Sequence, residues 1–372
     1  MKRINSNDIA RLAGVSRSTV SRVVNGYSNV PEETREKVMK VIKEHHYYPL
    51  LSGQLLTGKG TKTLGLFWMG RAGIARDSLT SSYFMHIVDA AARRGYLVLA
   101  CVLDNITEKH NINYVRKIFM EGRIDAGIFI GTSNTEPLVD ELVGLEKIVG
   151  LFDYYHENED IPNRICVNFD RNSGEETIDY LYNLGHRKIA IIDGDLSRLS
   201  CIHRHESYIR GMIKHSLPMQ NKWMTYGGIV KETGYEAAKR MLSACMDDLP
   251  TAVCANNDGV AFGVYDACAE LGLKIPDDIS VVGADGHERG RRISPTLTTV
   301  SFDFKEMFTS LVDRVIDTIE KKGTCPRACS SKAGLSRAAP AAASSAERCK
   351  SRGSAGLRSG PFFRYYSKHV LI

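Results

Sequence analysis

Residues 6–25, SNDIARLAGVSRSTVSRVVN, decide how the N-terminal end of this 372-residue chain is read. Two short helices joined by a tight turn give each residue type a task. Ser6 is expected to accept from the free N–H groups of a first helix, whose apolar stripe is Ile9, Leu12 and Ala13. Gly14 permits the turn, Val15 fills the angle between the helices, and Ser16 caps the second one. Val20, Val23 and Val24 point one way on that helix. Arg17, Ser18, Ser21, Arg22 and Asn25 fall at i, i+1, i+4, i+5 and i+8 and share the opposite face. A polar face with two arginines and no acid suits the floor of a DNA major groove. An ordinary amphipathic pair with a solvated face is the competing reading, and the next residues count against it.

Val30-Pro31-Glu32-Glu33 opens a third helix, with proline at its first position and acids in its first turn, where the helix dipole favours them. Val38, Val41 and Ile42 give it a face that closes a three-helix core. The order runs from Asp8-Ile9-Ala10 through Gly14-Val15-Ser16, Thr19-Val20-Ser21-Arg22-Val23-Val24-Asn25 and Thr34-Arg35-Glu36-Lys37-Val38 to Leu56-x-Gly58. In that order and spacing the chain resembles the LacI/GalR family of bacterial transcriptional regulators, closely over residues 1–60 and more loosely to about residue 322. The resemblance implies a hinge helix at residues 52–57, ordered on operator DNA, whose leucine wedges into the minor groove; here it matches Leu56. Independently of the family, an exposed Leu55-Leu56 pair is costly in water, and a wedge between base steps would use it. Gly53 departs from the pattern and adds about 1 kcal/mol to the ordering of such a helix. The candidate DNA-contacting residues are therefore Ser16, Arg17, Ser18, Thr19, Ser21, Arg22, Asn25 and Leu56.

The same segment carries a false lead. Gly53 to Lys59 fits the first seven places of a phosphate-binding loop, but Gly60 stands where a magnesium-binding Ser or Thr belongs. No strand leads into it, and a strand rather than a helix leads out. Nucleotide hydrolysis is rejected, and Lys59 and Lys62 are left to touch phosphates or water.

The net charge of +6 hides an asymmetry. Residues 1–62 hold 11 basic and 5 acidic side chains, residues 63–322 hold 29 and 37, and residues 323–372 hold 9 and 1. A basic head on an acidic body directs the phosphate-binding end at DNA and keeps the body off it. No apolar run follows the first basic residues and none is long enough to span a bilayer, so a cytoplasmic protein without a membrane anchor is expected. The nine cysteines are Cys101, Cys166, Cys201, Cys245, Cys254, Cys268, Cys325, Cys329 and Cys349. None forms a C-x-x-C pair, and they read as reduced small hydrophobes. Cys201 and His205, one helical turn apart with His203 nearby, lack a third ligand at recognisable spacing, so no metal or other cofactor is expected.

From residue 63 onward, apolar strands alternate with helical patterns in two series, so the expected body is α/β, two doubly wound parallel-sheet lobes like those of periplasmic binding proteins. The expected division is a helix-turn-helix head at 1–49, a hinge at 50–62, a first lobe at 63–163 plus about 301–322, a second lobe at 164–300, and a tail at 323–372. Ligands of open parallel sheets sit beyond the C-terminal strand ends, which places a site in the cleft between facing lobes. Asp153, Arg204, Asn257 and Asp285 follow strand ends and match effector-contacting positions in the family pattern. Carboxylates, a guanidinium and an amide together suit a neutral polyhydroxy ligand. Asp258 is read instead as the cap of a helix over 260–271. The loop over 70–82 is long, and Tyr83 and Phe84 just beyond it are the expected stacking partners for the effector.

Residues 323–372 depart from the family pattern. They are rich in Ala, Ser, Arg and Gly, with almost no Leu, Ile or Val before residue 362, and cannot offset their ordering entropy. A disordered tail is expected, either an out-of-frame product or a basic arm. The leading function is a homodimeric, operator-binding regulator, most simply a repressor, controlled by a small effector with a sugar favoured. A purine or protein corepressor is the alternative within that class. A solute-binding receptor and an enzyme are the rivals outside it; no G-x-G-x-x-G after a strand, G-x-S-x-G or H-E-x-x-H supports the enzyme.

Overall fold

A computed structural model describes residues 4–48, 60–69, 78–103, 109–134, 136–154, 161–320, 329–330 and 334–336. The hinge reading at 52–57, with Gly53 and Leu56, lies outside these residues, as do Lys59 and most of the 70–82 loop.

The head consists of α1 (Ser6–Ala13), α2 (Arg17–Val24) and α3 (Glu32–Glu44). Ile9, Ala10, Ala13, Val20, Val23, Val30 and Val38 form its buried core. Two local expectations are corrected. The cap of α1 is Asn5, not Ser6: its side chain accepts from Asn7 N at 2.8 Å and Asp8 N at 3.2 Å, while Asp8 accepts from Asn5 N at 3.1 Å. This reciprocal capping box satisfies orphan donors at both ends of the turn. Leu12 is 47% exposed and Ala10 takes its place in the core, because a small residue lets the helices approach. Gly14 adopts the left-handed conformation (φ 62°) that the turn requires.

The body begins with β1 (Thr63–Met69), followed by α4 (Ser78–Arg93), β2 (Leu97–Leu103), α5 (Lys109–Met120), β3 (Ala126–Ile130), α6 (Pro137–Gly144), β4 (Ile148–Phe152) and β5 (Arg164–Asn168). The second series comprises α7 (Ser173–Asn183), β6 (Ile189–Asp193), α8 (Leu199–Lys214), β7 (Met224–Tyr226), α9 (Lys231–Ser243), β8 (Ala252–Ala255), α10 (Asp258–Glu270), β9 (Ser280–Asp285) and β10 (Thr298–Ser301). Then come α11 (Phe304–Ile319), β11 (Cys329–Ser330) and β12 (Gly334–Ser336). One sheet has the order β11-β5-β4-β3-β1-β2 and the other β12-β10-β9-β8-β6-β7. Among the described residues all strand pairings are parallel except β10 with β12. Parallel strands need crossover helices, which cover both faces of each sheet.

Alternation along β1 shows how this works. Leu64 and Leu66 pack under α4 and α11 with Ile87, Phe308 and Leu311, while Phe67 and Met69 turn to the other face with Val115, Ile118 and Leu138. Each such fully buried side chain contributes roughly 1.5–3 kcal/mol. In the second lobe Gly263 lets α9 and α10 touch: a Cβ there would strike the backbone of Lys231 and Tyr235.

The sequence pattern makes the strand over 164–168 the opening of the second lobe. It instead pairs with β4, Val149 opposite Arg164, and extends the first sheet. Arg164 ties it down through Asp140 of α6 at 3.1 Å. Continuous apolar strands carry no signal of which sheet they join, and the boundary lies one strand later than the pattern suggests. The chain enters the second lobe after β5 and returns after β10, through Phe302 and Asp303, to α11 on the first lobe. Within the span expected to be a disordered tail, β11 joins β5 and β12 joins β10, so the chain reaches both sheets again. The rest of 323–372 lies outside the described residues.

At the base of the first lobe, Asp125 holds the start of the body. It accepts from Thr61 N at 2.6 Å, Thr61 Oγ1 at 2.9 Å and Lys62 N at 2.8 Å. Lys62 Nζ reaches Glu320 at 2.7 Å. A Cβ on Gly60 would lie 2.6 Å from the Asp125 carboxylate, which gives Gly60 a structural reason.

Candidate nucleic-acid interface and ligand cleft

The second helix of the head presents Arg17, Ser18, Ser21 and Arg22 to solvent, with Asn25 half-buried at its end. Ser16 Oγ accepts from Thr19 N at 3.1 Å and lies 2.8 Å from Thr19 Oγ1, so both hydroxyls take part in the cap. Arg17 Nε donates to Ser6 Oγ at 3.2 Å, a contact between the two helices that orients one arginine. Arg22 has no such tie among the described residues. The face therefore combines one arginine tied to the neighbouring helix, a second without such a tie, and small hydroxyls, the set that phosphate and base-edge contacts require.

In the body, the sequence-predicted cleft residues divide. Asp153 follows β4 with φ 60° and is buried. It accepts from Ser200 N and Ser200 Oγ, both at 2.6 Å, where Ser200 lies in the first turn of α8 in the second lobe. Burial pushes its carboxyl above the ordinary range, against the pull of Ser200 and Arg198. Asn134 N donates to Ser197 O at 3.2 Å, a second bond between the lobes.

Arg204 lies inside α8 and is 4% exposed. It donates through Nη1 to Asn256 O, and its guanidinium stands 5.9 Å from the ring centres of Phe169 and Phe302. Among the described residues its Nε has no hydrogen-bond partner. Burial opposes the charge, but Asp285 leads the groups that favour it, and the guanidinium ends up raised. Asp285 closes β9 with φ 116°, a backbone position that favours glycine.

Three of the cleft expectations are corrected. Asn257, not Asp258, caps α10, accepting from Val260 N at 2.8 Å and donating to Ile229 O at 2.9 Å. Both ends of its amide are used within the second lobe. Asp258 is buried and accepts from Thr299 Oγ1 and His287 N, each at 2.6 Å. Burial and the neighbouring Asp285 push its carboxyl well above the ordinary range. Tyr83 is a core residue, packed 4.6 Å from Phe304 and 4.9 Å from Phe308, rather than a stacking partner. Phe84 is half-buried and stacks 5.5 Å from Trp68. Their helix phase is the reason: position 83 falls on the core-facing side of α4.

Sequence reasoning missed Trp68 at the end of β1, Phe169 and Phe302 at the lobe crossings, Ser200, and the pair Asp193 and Asn256. Asp193 is the last residue of β6 and Asn256 follows β8; both are buried. The one available signal was a polar residue closing an apolar run. Among the described residues, no cluster of three or more His, Cys, Asp or Glu side chains could hold a metal ion. Likewise among them, no helix is long and apolar enough to cross a membrane.

The family of bacterial regulatory proteins of the lacI type matches residues 7–49, and the periplasmic binding protein-like domain matches residues 178–330. The HTH-type transcriptional repressor PurR of Vibrio vulnificus (strain CMCP6) is 32% identical over 321 residues, covering 83% of this chain and 91% of the relative. PurR of Histophilus somni (strain 129Pt) is 30% identical, covering 85% and 92%. Among solved structures, the lac repressor dimer bound to operator and the anti-inducer ONPF is similar with a TM-score of 0.73 and 26% identity, covering 90% of this chain and 98% of that one. The CelR–cellobiose complex shares the fold, with a TM-score of 0.69 and 22% identity over 90% and 99% of the two chains. A DNA-reading head of three helices thus precedes two parallel-sheet lobes here as in regulators that bind operators, and the chain belongs to the LacI family: it is a DNA-binding transcriptional repressor, not an enzyme.

Proposed function

We propose that this repressor acts as a homodimer whose hold on operator DNA is set by a small polar effector seated between the lobes, around Arg204 and Asp285 with Asp153 at the rim. The observation that carries the reading is Arg204: a buried guanidinium with an unpartnered Nε, flanked by two aromatic rings, at the strand ends where α/β ligands sit. Arg17, Ser18, Ser21 and Arg22 read the operator, with Ser16, Thr19 and Asn25 supporting the helix and Leu56 as the minor-groove wedge. The aromatic wall of Phe169 and Phe302 suits the flat face of a sugar or purine ring alike. The sugar and the purine are therefore both kept as effector classes.

The dimer reading rests on the first lobe. Leu97 (72% exposed), Val102 (49%), Met85 (64%) and Val88 (40%) leave apolar side chains uncovered on the edge strand β2 and on α4. An unpaired edge beside an apolar patch suits a second copy related by a two-fold axis.

Calorimetry on the full chain with a panel of sugars and purines, with and without a short operator duplex, tests the effector reading. Arg204→Ala and Asp285→Ala are expected to weaken effector binding more than tenfold while operator recognition persists. Coupling is reciprocal, so operator must change effector affinity by the factor with which effector changes operator affinity. Effector binding that ignores both substitutions overturns the cleft.

A further inference from the structure

Three buried polar atoms without hydrogen-bond partners among the described residues belong to one small group in the second lobe: Asp193 Oδ1, Asn256 Oδ1 and Arg204 Nε. Their neighbourhood follows from the sheet. β6 and β8 are parallel with Ile192 opposite Ala255, so Asp193 and Asn256 occupy the next equivalent places on adjacent strands. Asn256 N donates to Ile192 O at 2.9 Å, which keeps the two chains in step there. The first turns of α8 then lie across both strand ends. Asn256 Nδ2 reaches Cys201 Sγ at 3.4 Å, Arg204 Nη1 donates to Asn256 O, and His205 Nδ1 meets Asp193 Oδ2 at 2.7 Å. Gly194 permits this approach, since a Cβ there would lie 2.5 Å from Cys201 Sγ.

Each residue thus spends one polar atom on holding the arrangement and leaves another unsatisfied. His205 fixes Asp193 through one oxygen, and Cys201 fixes the Asn256 amide so that its nitrogen is used and its oxygen is left. An unsatisfied buried acceptor costs about 1–3 kcal/mol, and more for a charged group, so a site that leaves two of them is incomplete without a donor. A hydroxyl has one hydrogen to offer two acceptors. An amino group has at least two, and a protonated one adds charge complementary to the carboxylate.

We propose that Asp193 and Asn256 form an amine-selecting subsite of the effector cleft, so that the effector is a sugar or purine carrying an amino group, which bridges the two oxygens beside Arg204. The proposal rests on the reading that effector binds at Arg204. Asp193 is the specificity-determining residue, Asn256 supplies the second acceptor, and His205 is a positioning residue that holds the carboxylate.

Matched probes test it on the full chain by calorimetry: adenine against hypoxanthine, and D-glucosamine against D-glucose. In at least one pair the amino member is expected to bind 10- to 100-fold more tightly, the factor for about 1.4–2.8 kcal/mol and within the range of charge-assisted hydrogen bonding. Asn256→Ala and Asp193→Asn are expected to erase that preference, the second by replacing an acceptor with a donor. Melting temperature and circular dichroism establish that each variant is folded, and either variant alone suffices. Equal affinity within both pairs, a preference that survives in a folded variant, or binding of none of the four probes overturns the subsite. Arg204→Ala separates the two readings. Probe binding that needs Arg204 but shows no amine preference overturns the subsite alone, whereas probe binding indifferent to Arg204→Ala overturns the cleft and the subsite together.

Discussion

Ser200 donates both its backbone N–H and its hydroxyl to Asp153, each over 2.6 Å, and in doing so joins the second lobe to the first. A carboxylate held twice by one residue of the opposite lobe is a latch whose strength depends on the cleft being closed. Ser200→Ala keeps the backbone bond and removes the other, weakening closure by about 1.5 kcal/mol, or roughly tenfold in the closed fraction. Faster hydrogen exchange at the Asn134 and Ser200 amides, with unchanged exchange in the strand cores, is the expected readout. Identical exchange in the variant and the parent would show that the bond carries no closure energy.

In the head, the cap on α1 lies at Asn5. Asn5→Ala is expected to cost about 1 kcal/mol of head stability. Ser6→Ala, by contrast, leaves stability alone and frees Arg17, the group it orients. Urea titrations of the head signal separate the two, and equal losses for both substitutions would return the cap to Ser6.

Arg17 is held by Ser6 and Arg22 has no such bond among the described residues, so they are expected to differ in what they read. Arg22→Ala should cost about 1–3 kcal/mol on operator and relax base preference at one position. Gel-shift titrations against randomised half-sites make the comparison. A loss of the same size on non-specific DNA would reduce Arg22 to a phosphate contact.

His186 gives a pH signature. Its Nδ1 lies 3.0 Å from Thr251 Oγ1, whose hydroxyl donates to Lys188 O, so the ring hydrogen is assigned to Nδ1 and Nε2 is a bare buried acceptor. Burial, then the Arg187 charge, holds the ring below its ordinary value of 6.5. The folded value is the lower one, so the stability contributed by the neutral ring is present above 6.5 and is lost as pH falls through the folded value. His186→Asn retains an N–H for Thr251 and is expected to flatten the acid limb of melting temperature against pH. Superimposable acid limbs would exclude His186 as its source.

Much of this was readable from residue types. Gly14, Ser16 and the valines of α2 leave few alternatives to a helix-turn-helix, and short apolar runs marked the sheets. What escaped reading depended on partners distant in sequence. Residues 164–168 look like any buried strand until β4 is beside them. Asn257 and Asp258 are both good caps; Asn257 takes Val260 N, and Asp258 is spent instead on Thr299 and His287, far along the chain. Tyr83 resembled a ligand-stacking aromatic because the rings that bury it, Phe304 and Phe308, arrive more than two hundred residues later. Asp193 and Asn256 gave no periodic signal, since each is a single polar residue whose meaning comes from the neighbouring strand.

The grip of Asp125 on Thr61 and Lys62 fixes where the tether of the reading head is fastened. Residues 49–59 separate that fastening from the head, and a chain of this length reaches at most roughly 40 Å when fully drawn out. Half-sites one turn of duplex apart lie about 34–36 Å from centre to centre. In the homodimer proposed above, a head that has landed would hold the second at high local concentration over its own half-site. The fastening at Asp125 thus sets, through chain length alone, how far from the body such a head can land.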